Sequence, residues 1–254
     1  MSPSSRPFLS IVIPAYNERA RLPETLAKVK AFLDASAPDS EIVVVDDGSA
    51  DGTAAIAAEA LRGRAGRVVS NGENRGKGYS VRHGVLEAAG RFVLLTDADL
   101  STPIEEYRKL ADTLRNFELD VAIGSRALAA SDVQVRQGFL RQAMGKTFNR
   151  IIRVLTGLSL QDTQCGFKLM DRERVRPLFE MMVVDGFAFD VELLFLCARL
   201  GLAVREVPVV WRNAEGSKVS IVGDPIHMIL DVLRVRWRFR RGLYDPTKAA
   251  APSP

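Results

Sequence analysis

The chain has little with which to do thiol, zinc or hydrolytic chemistry. It holds two cysteines and two histidines in 254 residues. Cys165 and Cys197 have no second cysteine or histidine at metal-ligand spacing, so a structural zinc site is not expected and both read as reduced, largely buried thiols. His83 and His227 are isolated from any recognisable serine or cysteine nucleophile, which argues against a hydrolytic triad. No run of about 18 apolar residues occurs, so no transmembrane helix is expected. The opening MSPSSRPFLS has no charged region followed by an apolar stretch. No signal peptide is therefore expected, and the expected compartment is the cytoplasm. There is no phosphate-binding P-loop. Gly76, Gly78 and Gly84 miss the dinucleotide-binding spacing, because the third follows the second by six residues rather than three.

What is present is ample apolar residue for a core: 47% of the chain is hydrophobic and 26% charged. The length suits one large α/β domain. The net charge of +4 is concentrated at one end. Arg212 to Arg241 contains seven Lys/Arg and three Asp/Glu, so that 7 − 3 = +4 and the remainder is balanced. Such an end suits an anionic membrane, a phosphate substrate or nucleic acid. No recognised nucleic-acid motif accompanies it, so nucleic acid is not expected as a partner.

Short apolar runs alternate with helical patterns. Strands are expected at Leu9–Ile13, Glu41–Val45, Val68–Val69, Phe92–Thr96 and Val121–Gly124. Helices are expected on the stripe Leu22, Leu26, Val29 and Leu33, over 54–61, over 77–89 and after Pro103. This alternation predicts an α/β fold, a mostly parallel sheet with helices on both faces. In the second half, helices are expected over 139–155, 189–200 and 225–241. Asp162–Met170 reads as irregular, and Ala203–Trp211 as one strand that Pro208 places at an edge. No internal repeat and no linker interrupts the chain. The expected organisation is a catalytic domain over 8–220, an amphipathic helix over 221–244 and a disordered tail over 245–254.

Ligands of open α/β sheets bind beyond the carboxyl ends of the strands. The polar clusters fall there. Asp97-Ala98-Asp99 leaves a strand, and two carboxylates at this spacing can share a hard divalent cation, Mg²⁺ or Mn²⁺, that bridges to phosphate oxygens. The same pair could instead cap the next helix, but Ser101 or Thr102 is the better N-cap there. In Asp46-Asp47-Gly48-Ser49, a carboxylate at a strand end can take the imide N–H of a base or ribose hydroxyls; a plain acidic turn is the alternative. Pro14-Ala15-Tyr16-Asn17-Glu18 offers a stacking ring and an acid, or simply a surface loop. Gly76-Lys77-Gly78 reads as a flexible helix start near a nucleotide.

Taken together, PAYNE, DDGS, NRGKG, DADLS and IGSR, each after a strand or opening a helix, resemble family 2 of the inverting glycosyltransferases, which have the GT-A fold. DTQCGFKLM, FDVELL and EGSKV extend the resemblance to about Leu233 and are similar to the dolichyl-phosphate and polyprenyl-phosphate β-glucosyltransferase branch. The resemblance implies that Pro14, Tyr16, Glu18, Val45 and Asp47 hold base and ribose. It implies Asp97 and Asp99 at the metal, with Asp99 the more direct ligand, and Ala98 touching the nucleotide through its backbone. Arg126 would neutralise the diphosphate, Arg141 would reach the acceptor phosphate, and Arg212 and Lys218 would clamp phosphates. Ser101 stands where mannosyl-transferring relatives carry Gln near the metal, and Gly145 where relatives carry Ser.

The activity so implied is transfer of a sugar from a nucleotide diphosphate sugar, UDP-glucose, to a polyprenyl phosphate with inversion. GDP-mannose is the rival donor, and a soluble alcohol the rival acceptor. A lipid monophosphate is ionised near neutral pH and needs no general base. Asp190 in FDVELL is the fallback base for an alcohol; otherwise Asp190 and Glu192 contact sugar hydroxyls or lie at an exposed helix start with Asp190 as its cap. Ile226, Ile229, Leu230, Leu233 and Trp237 share one face of the last helix, and Arg234, Arg238 and Arg241 another. A helix of this kind can lie at the inner face of an anionic membrane or pack on the domain or on a second copy in a homo-oligomer.

Overall fold

The computed structural model describes residues 6–134, 139–212 and 223–245. The expected boundary at residues 220 and 221 and nearly all of the 245–254 tail lie outside these.

The expected alternation is observed. It runs β1 (Leu9–Ala15), α1 (Leu22–Ser36), β2 (Ser40–Asp46), α2 (Thr53–Ala60), β3 (Gly66–Ser70), α3 (Lys77–Glu87), β4 (Phe92–Leu95), α4 (Tyr107–Asn116) and β5 (Val121–Ser125). A two-residue strand β6 (Asp132–Val133) then precedes α5 (Phe139–Thr156). The second half continues with β7 (Lys168–Asp171), α6 (Arg172–Met181), α7 (Phe189–Arg199), β8 (Val204–Pro208), β9 (Val210–Trp211) and α8 (Gly223–Arg240). Seven strands form one sheet in the order β3-β2-β1-β4-β7-β5-β8. β1, β2, β3 and β4 are mutually parallel, as are β5 and β8. The apolar runs of β1, β2 and β5 are buried on both faces, as a helix-covered parallel sheet requires: Ile42, Val43, Val44 and Val45 are all 0% exposed.

Two expectations are corrected. Asp162–Met170 is not irregular throughout. Its last residues enter β7, which runs antiparallel between β4 and β5, with Leu95 opposite Lys168. A strand of four residues that begins on a lysine gives no alternation from which to see it. Ala203–Trp211 is not one strand but two. β8 forms the sheet edge, as Pro208 suggested, and β9 leaves to pair with β6 in a separate two-stranded sheet.

The topology has one consequence for function. β1, β2, β4 and β5 point their carboxyl ends at one rim. β7 runs the other way, so its first residue, Lys168, reaches the same rim. α8 packs against α5 and α7, and its Met228, Val232 and Val235, followed by Tyr244, join the core beneath α7.

Candidate active site

Asp97, Ala98 and Asp99 follow β4 at this rim. Ala98 is buried and its carbonyl accepts a hydrogen bond from Thr25 Oγ1 (2.6 Å). Asp99 Oδ1 accepts from the backbone N–H of Ser101 (2.9 Å). Leu100 between them sits at φ +46°, a left-handed conformation that costs a non-glycine residue roughly 1–2 kcal/mol. Strain of this kind is held at sites where a loop must present particular groups. Neither Ser101 nor Thr102 caps the following helix. Pro103 precedes a 3₁₀ turn at Ile104–Glu106 with no side-chain cap, and this turn leads into α4. The aspartates are therefore not a capping pair. The Ser101 carbonyl instead accepts from the Arg212 N–H (2.7 Å), which brings the end of β9 onto this loop.

The Asp97 carboxylate is engaged by Lys77 Nζ at 2.6 Å. Burial alone would raise the Asp97 carboxyl, but Lys77, with Lys168 and Arg126 behind it, holds it below the ordinary range. Conversely, burial opposes the charge on Lys77, and Asp97, Asp190 and Asp99 together raise it above an ordinary lysine. Gly166 backs the same carboxylate: a Cβ there would overlap Asp97 Oδ2. The next layer is the fully buried Lys168, whose Nζ donates to Asp190 Oδ1 (2.5 Å) and the Cys165 carbonyl (2.5 Å).

Asp190 is thus neither an exposed helix-start acid nor the cap of α7; Ala188 holds the N-cap position and Asp190 is 4% exposed. Burial raises its carboxyl against the pull of Lys168 and Lys77. Glu192 is 0% exposed and accepts from the N–H groups of Val183 and Val184 and from the Tyr244 hydroxyl (2.5 Å). It fixes the loop before α7 rather than meeting a sugar.

On the β1–β2 side, Tyr16 is exposed and Pro14 is partly so. Asn17, at φ +50°, accepts the Ala50 N–H on its side chain and donates its own N–H to Ser49 Oγ, tying the PAYNE and DDGS loops together. The Glu18 carboxylate pairs with Arg21 (2.7 Å). Two expected contacts change character. Val45 is 0% exposed, so it can offer a ligand its main chain and not its side chain. Asp47 is buried and already accepts from Asn71 Nδ2 (2.7 Å) and from the N–H groups of Arg75 (3.0 Å) and Gly76 (2.9 Å). In this arrangement it shapes the NRGKG loop. That loop is not a flexible helix start. Cβ atoms at Gly76 and Gly78 would overlap the carbonyls of Asp185 and Val184, and the N–H groups of Gly78 and Tyr79 both donate to the Asp185 carbonyl.

Arg126, after β5, is held by Asp162. Its Nε (2.7 Å), Nη2 (2.8 Å) and backbone N–H (3.0 Å) all donate to that carboxylate. The pair raises Arg126 and lowers Asp162 against the opposing effect of burial. Much of the Arg126 charge is therefore already compensated by the protein. Arg212 is exposed beside the site, with Nε donating to Gln134 Oε1. Gly145 lies exposed on α5; the side chain of Arg141 and the whole of Lys218 lie outside the described residues.

Sequence reasoning missed Lys77, Lys168 and Asp162. Lys77 had a signal, since a charged residue between two glycines at a helix start is presented by a fixed backbone. Lys168 and Asp162 had none, because each acquires meaning from a partner more than twenty residues away. Among the described residues, no group of three or more His, Cys, Asp or Glu is arranged to hold a metal ion. The donor set nevertheless fits a hard divalent cation. Asp97 and Asp99 supply carboxylate oxygens, Gly166 leaves room at one of them, and such ions take their remaining ligands from substrate phosphates and water.

Comparison with known proteins bears on the whole arrangement. The family model "Glycosyl transferase family 2" matches residues 10–179. A dolichyl-phosphate beta-glucosyltransferase of Dictyostelium discoideum is 34% identical, over 96% of this chain and 78% of its own length. The Drosophila melanogaster protein of that name is 38% identical, over 93% and 76%. The Saccharomyces cerevisiae protein of that name is 33% identical, over 95% and 78%. Among solved structures, glucosyl-3-phosphoglycerate synthase from Mycobacterium tuberculosis in complex with UDP superposes with a TM-score of 0.68, covering 90% of this chain and 80% of that one. A complex of the same enzyme with Mn²⁺, UDP-glucose and phosphoglyceric acid gives 0.68 as well. At 22% identity these two likenesses speak for the fold.

Proposed function

The chain belongs to glycosyl transferase family 2 and is a glycosyltransferase, and from this premise we propose that it moves glucose from UDP-glucose to a polyprenyl phosphate with inversion at the anomeric carbon. The observation that carries the choice of acceptor is the Lys168–Asp190 pair. An alcohol acceptor needs a base to remove its proton. The expected base is buried and held by a lysine. A phosphate monoester needs none, since its second pKa is about 6. The names of the relatives, which share nearly the whole chain, agree with this reading.

The catalytic task is then to bring two anions together. A divalent cation, when bound by Asp97 and Asp99, neutralises charge on the diphosphate leaving group. The protein supplies the rest. Tyr16 and Pro14 receive the base, the main chain at Val45 and Ala98 lines the nucleotide, and Asp47 holds the loop that carries Lys77. Arg126, positioned by Asp162 and stacked over Trp211 (5.5 Å), presents its remaining edge to phosphate. Arg141 receives the acceptor phosphate, and Arg212 and Lys218 clamp phosphates at the donor.

The acceptor is a lipid, and no helix among the described residues is long and apolar enough to cross a membrane. The feature that supports contact with a membrane surface is the outer face of α8. Its Ile226, Leu230, Leu233 and Trp237 are 57%, 59%, 44% and 54% exposed. They recur at intervals that make one stripe, opposite the face that meets the core. Arg234 and Arg240 on this helix and Arg241 just after it are exposed and suit an anionic surface, whereas Arg238 is half-buried. We place the protein peripherally at such a surface.

The test is transfer of labelled sugar from UDP-glucose, and separately from GDP-mannose, to a short polyprenyl phosphate with Mg²⁺, Mn²⁺ or EDTA. Labelled lipid from UDP-glucose, formed only with metal, is the expected result. Transfer to a soluble alcohol such as glycerate, with the lipid phosphate inert, would overturn the assignment of acceptor.

A further inference from the structure

Lys77 is the first residue of α3, and its backbone has no freedom to choose where it points. Gly76 on one side sits at φ +101° with its N–H given to Asp47, and a Cβ there would overlap the Asp185 carbonyl. Gly78 on the other side lies against the Val184 and Gly186 carbonyls and donates to Asp185 (2.7 Å). Only glycines fit these two close approaches, and between them the one side chain available turns to the rim. There it meets Asp97 at 2.6 Å. The contact is unusual in its place. Asp97 is one of the two carboxylates to which the metal is assigned, and the ammonium stands against it as a metal ion would, a compact point charge with three donors. Lys168 is already paired with Asp190 from below, so Lys77 is the cation in direct contact with Asp97.

We propose that Lys77 is an exchangeable stand-in for the metal. It holds the Asp97 carboxylate while the donor site is empty and moves to the diphosphate of the nucleotide sugar when metal and donor arrive. The proposal rests on the nucleotide-sugar reading above. The exchange keeps a cation on Asp97 at each stage. With the site empty, Lys77 compensates Asp97. With metal and donor bound, the cation takes over Asp97 and the freed ammonium meets the added phosphate charge. Both moves need only the four-carbon stem of the lysine, because its backbone stays clamped. The bidentate hold of Asp162 on Arg126 strengthens the case, since it leaves Lys77 as the nearby cation whose partner is one the metal would claim. The helix N-terminus that carries Lys77 adds favourable potential for an anion.

The idea predicts opposite effects from one substitution. In Lys77→Met, Mn²⁺ alone, titrated by electron paramagnetic resonance, should bind more tightly than to wild type, because its competitor is gone. UDP with Mn²⁺, measured by calorimetry, should bind more weakly by about tenfold or more, the scale of one charge-assisted hydrogen bond. UMP, which lacks the outer phosphate, should lose much less. Lys77→Arg should keep the UDP affinity nearer to wild type. A merely structural lysine would weaken Mn²⁺, UDP and UMP together, and that result overturns the proposal, as does unchanged or weaker Mn²⁺ binding in Lys77→Met. Absence of any uridine nucleotide binding to the wild-type protein would instead strike at the proposed function. The Mn²⁺ titration without nucleotide would still decide whether Lys77 competes for Asp97.

Discussion

Asp162 receives three hydrogen bonds from one residue, Arg126: two from the guanidinium and one from its own N–H. The carboxylate is 2% exposed. Behind it, Glu206 on β8 accepts the N–H groups of Gln161 and Asp162 and the Ser125 hydroxyl, fastening the loop before β7 to two neighbouring strands. Asp162→Ala should leave the partly buried guanidinium without its partner. The expected loss, discounted because a third of the Arg126 side chain meets solvent, is about 2 kcal/mol of stability by urea denaturation. Transfer activity should fall with it, through a misplaced Arg126. Retention of both would show that Arg126 is placed by other contacts.

The same pair sets an acid limb. The Asp162 carboxyl is lowered in the folded protein, so its contribution is complete above the unfolded value, about 3.9, and is lost as pH falls through the lower folded value. Stability measured at pH 7 and then below about 4 should drop for wild type. Asp162→Asn should start lower and show a flatter decline. An equally steep decline would assign the acid limb to other carboxylates.

Lys168 and Asp190 form the buried charge pair under the site. Removing one partner strands the other, which costs about 3–5 kcal/mol. Lys168→Ala should show that loss in urea denaturation. Lys168→Met combined with Asp190→Leu should lose much less than the two single changes summed, giving a favourable coupling in the double-mutant cycle. Additive losses would mean that each side chain acts through other neighbours.

How much of this was legible beforehand depended on whether the information was local. Ile11 to Ile13 and Ile42 to Val45 announce buried parallel strands by themselves, and strand-end acids such as Asp47, Asp97 and Asp99 are marked by position. The shared rim then followed from topology. β7 was hidden because its four residues, Lys168 to Asp171, read as neither helix nor strand until β4 and β5 flank them. The roles of Asp47, Asp162 and Asp190 were hidden for a related reason. A carboxylate's function depends on which donors reach it, and those donors come from Arg75 and Gly76, Arg126, and Lys168, far along the chain.

Asp99 distinguishes a metal ligand from a structural acid. Its one described bond, to the Ser101 N–H, is worth only about 1 kcal/mol. Asp99→Ala should therefore leave the unfolding midpoint nearly unchanged while reducing metal-dependent transfer by about a hundredfold or more, the scale of losing preorganised charge stabilisation. Substantial activity in Asp99→Ala at saturating Mn²⁺ would remove Asp99 from the metal site.

The exposed stripe of α8 is separable from the fold, because Met228, Val232 and Val235 carry the packing while Leu230 and Trp237 face outward. Leu230→Ser with Trp237→Ser should accordingly leave thermal stability within about 1 kcal/mol, as for surface substitutions. It should weaken binding to vesicles containing anionic lipid by at least about tenfold, since each large apolar side chain withdrawn from water contributes more than a kilocalorie. Added salt should weaken the wild type as well, through the arginines at the helix end. If vesicle binding is unaffected but sedimentation shows the wild type dimeric and the double variant monomeric, the stripe is a contact between copies of this chain. The lipid acceptor must then be reached by another surface.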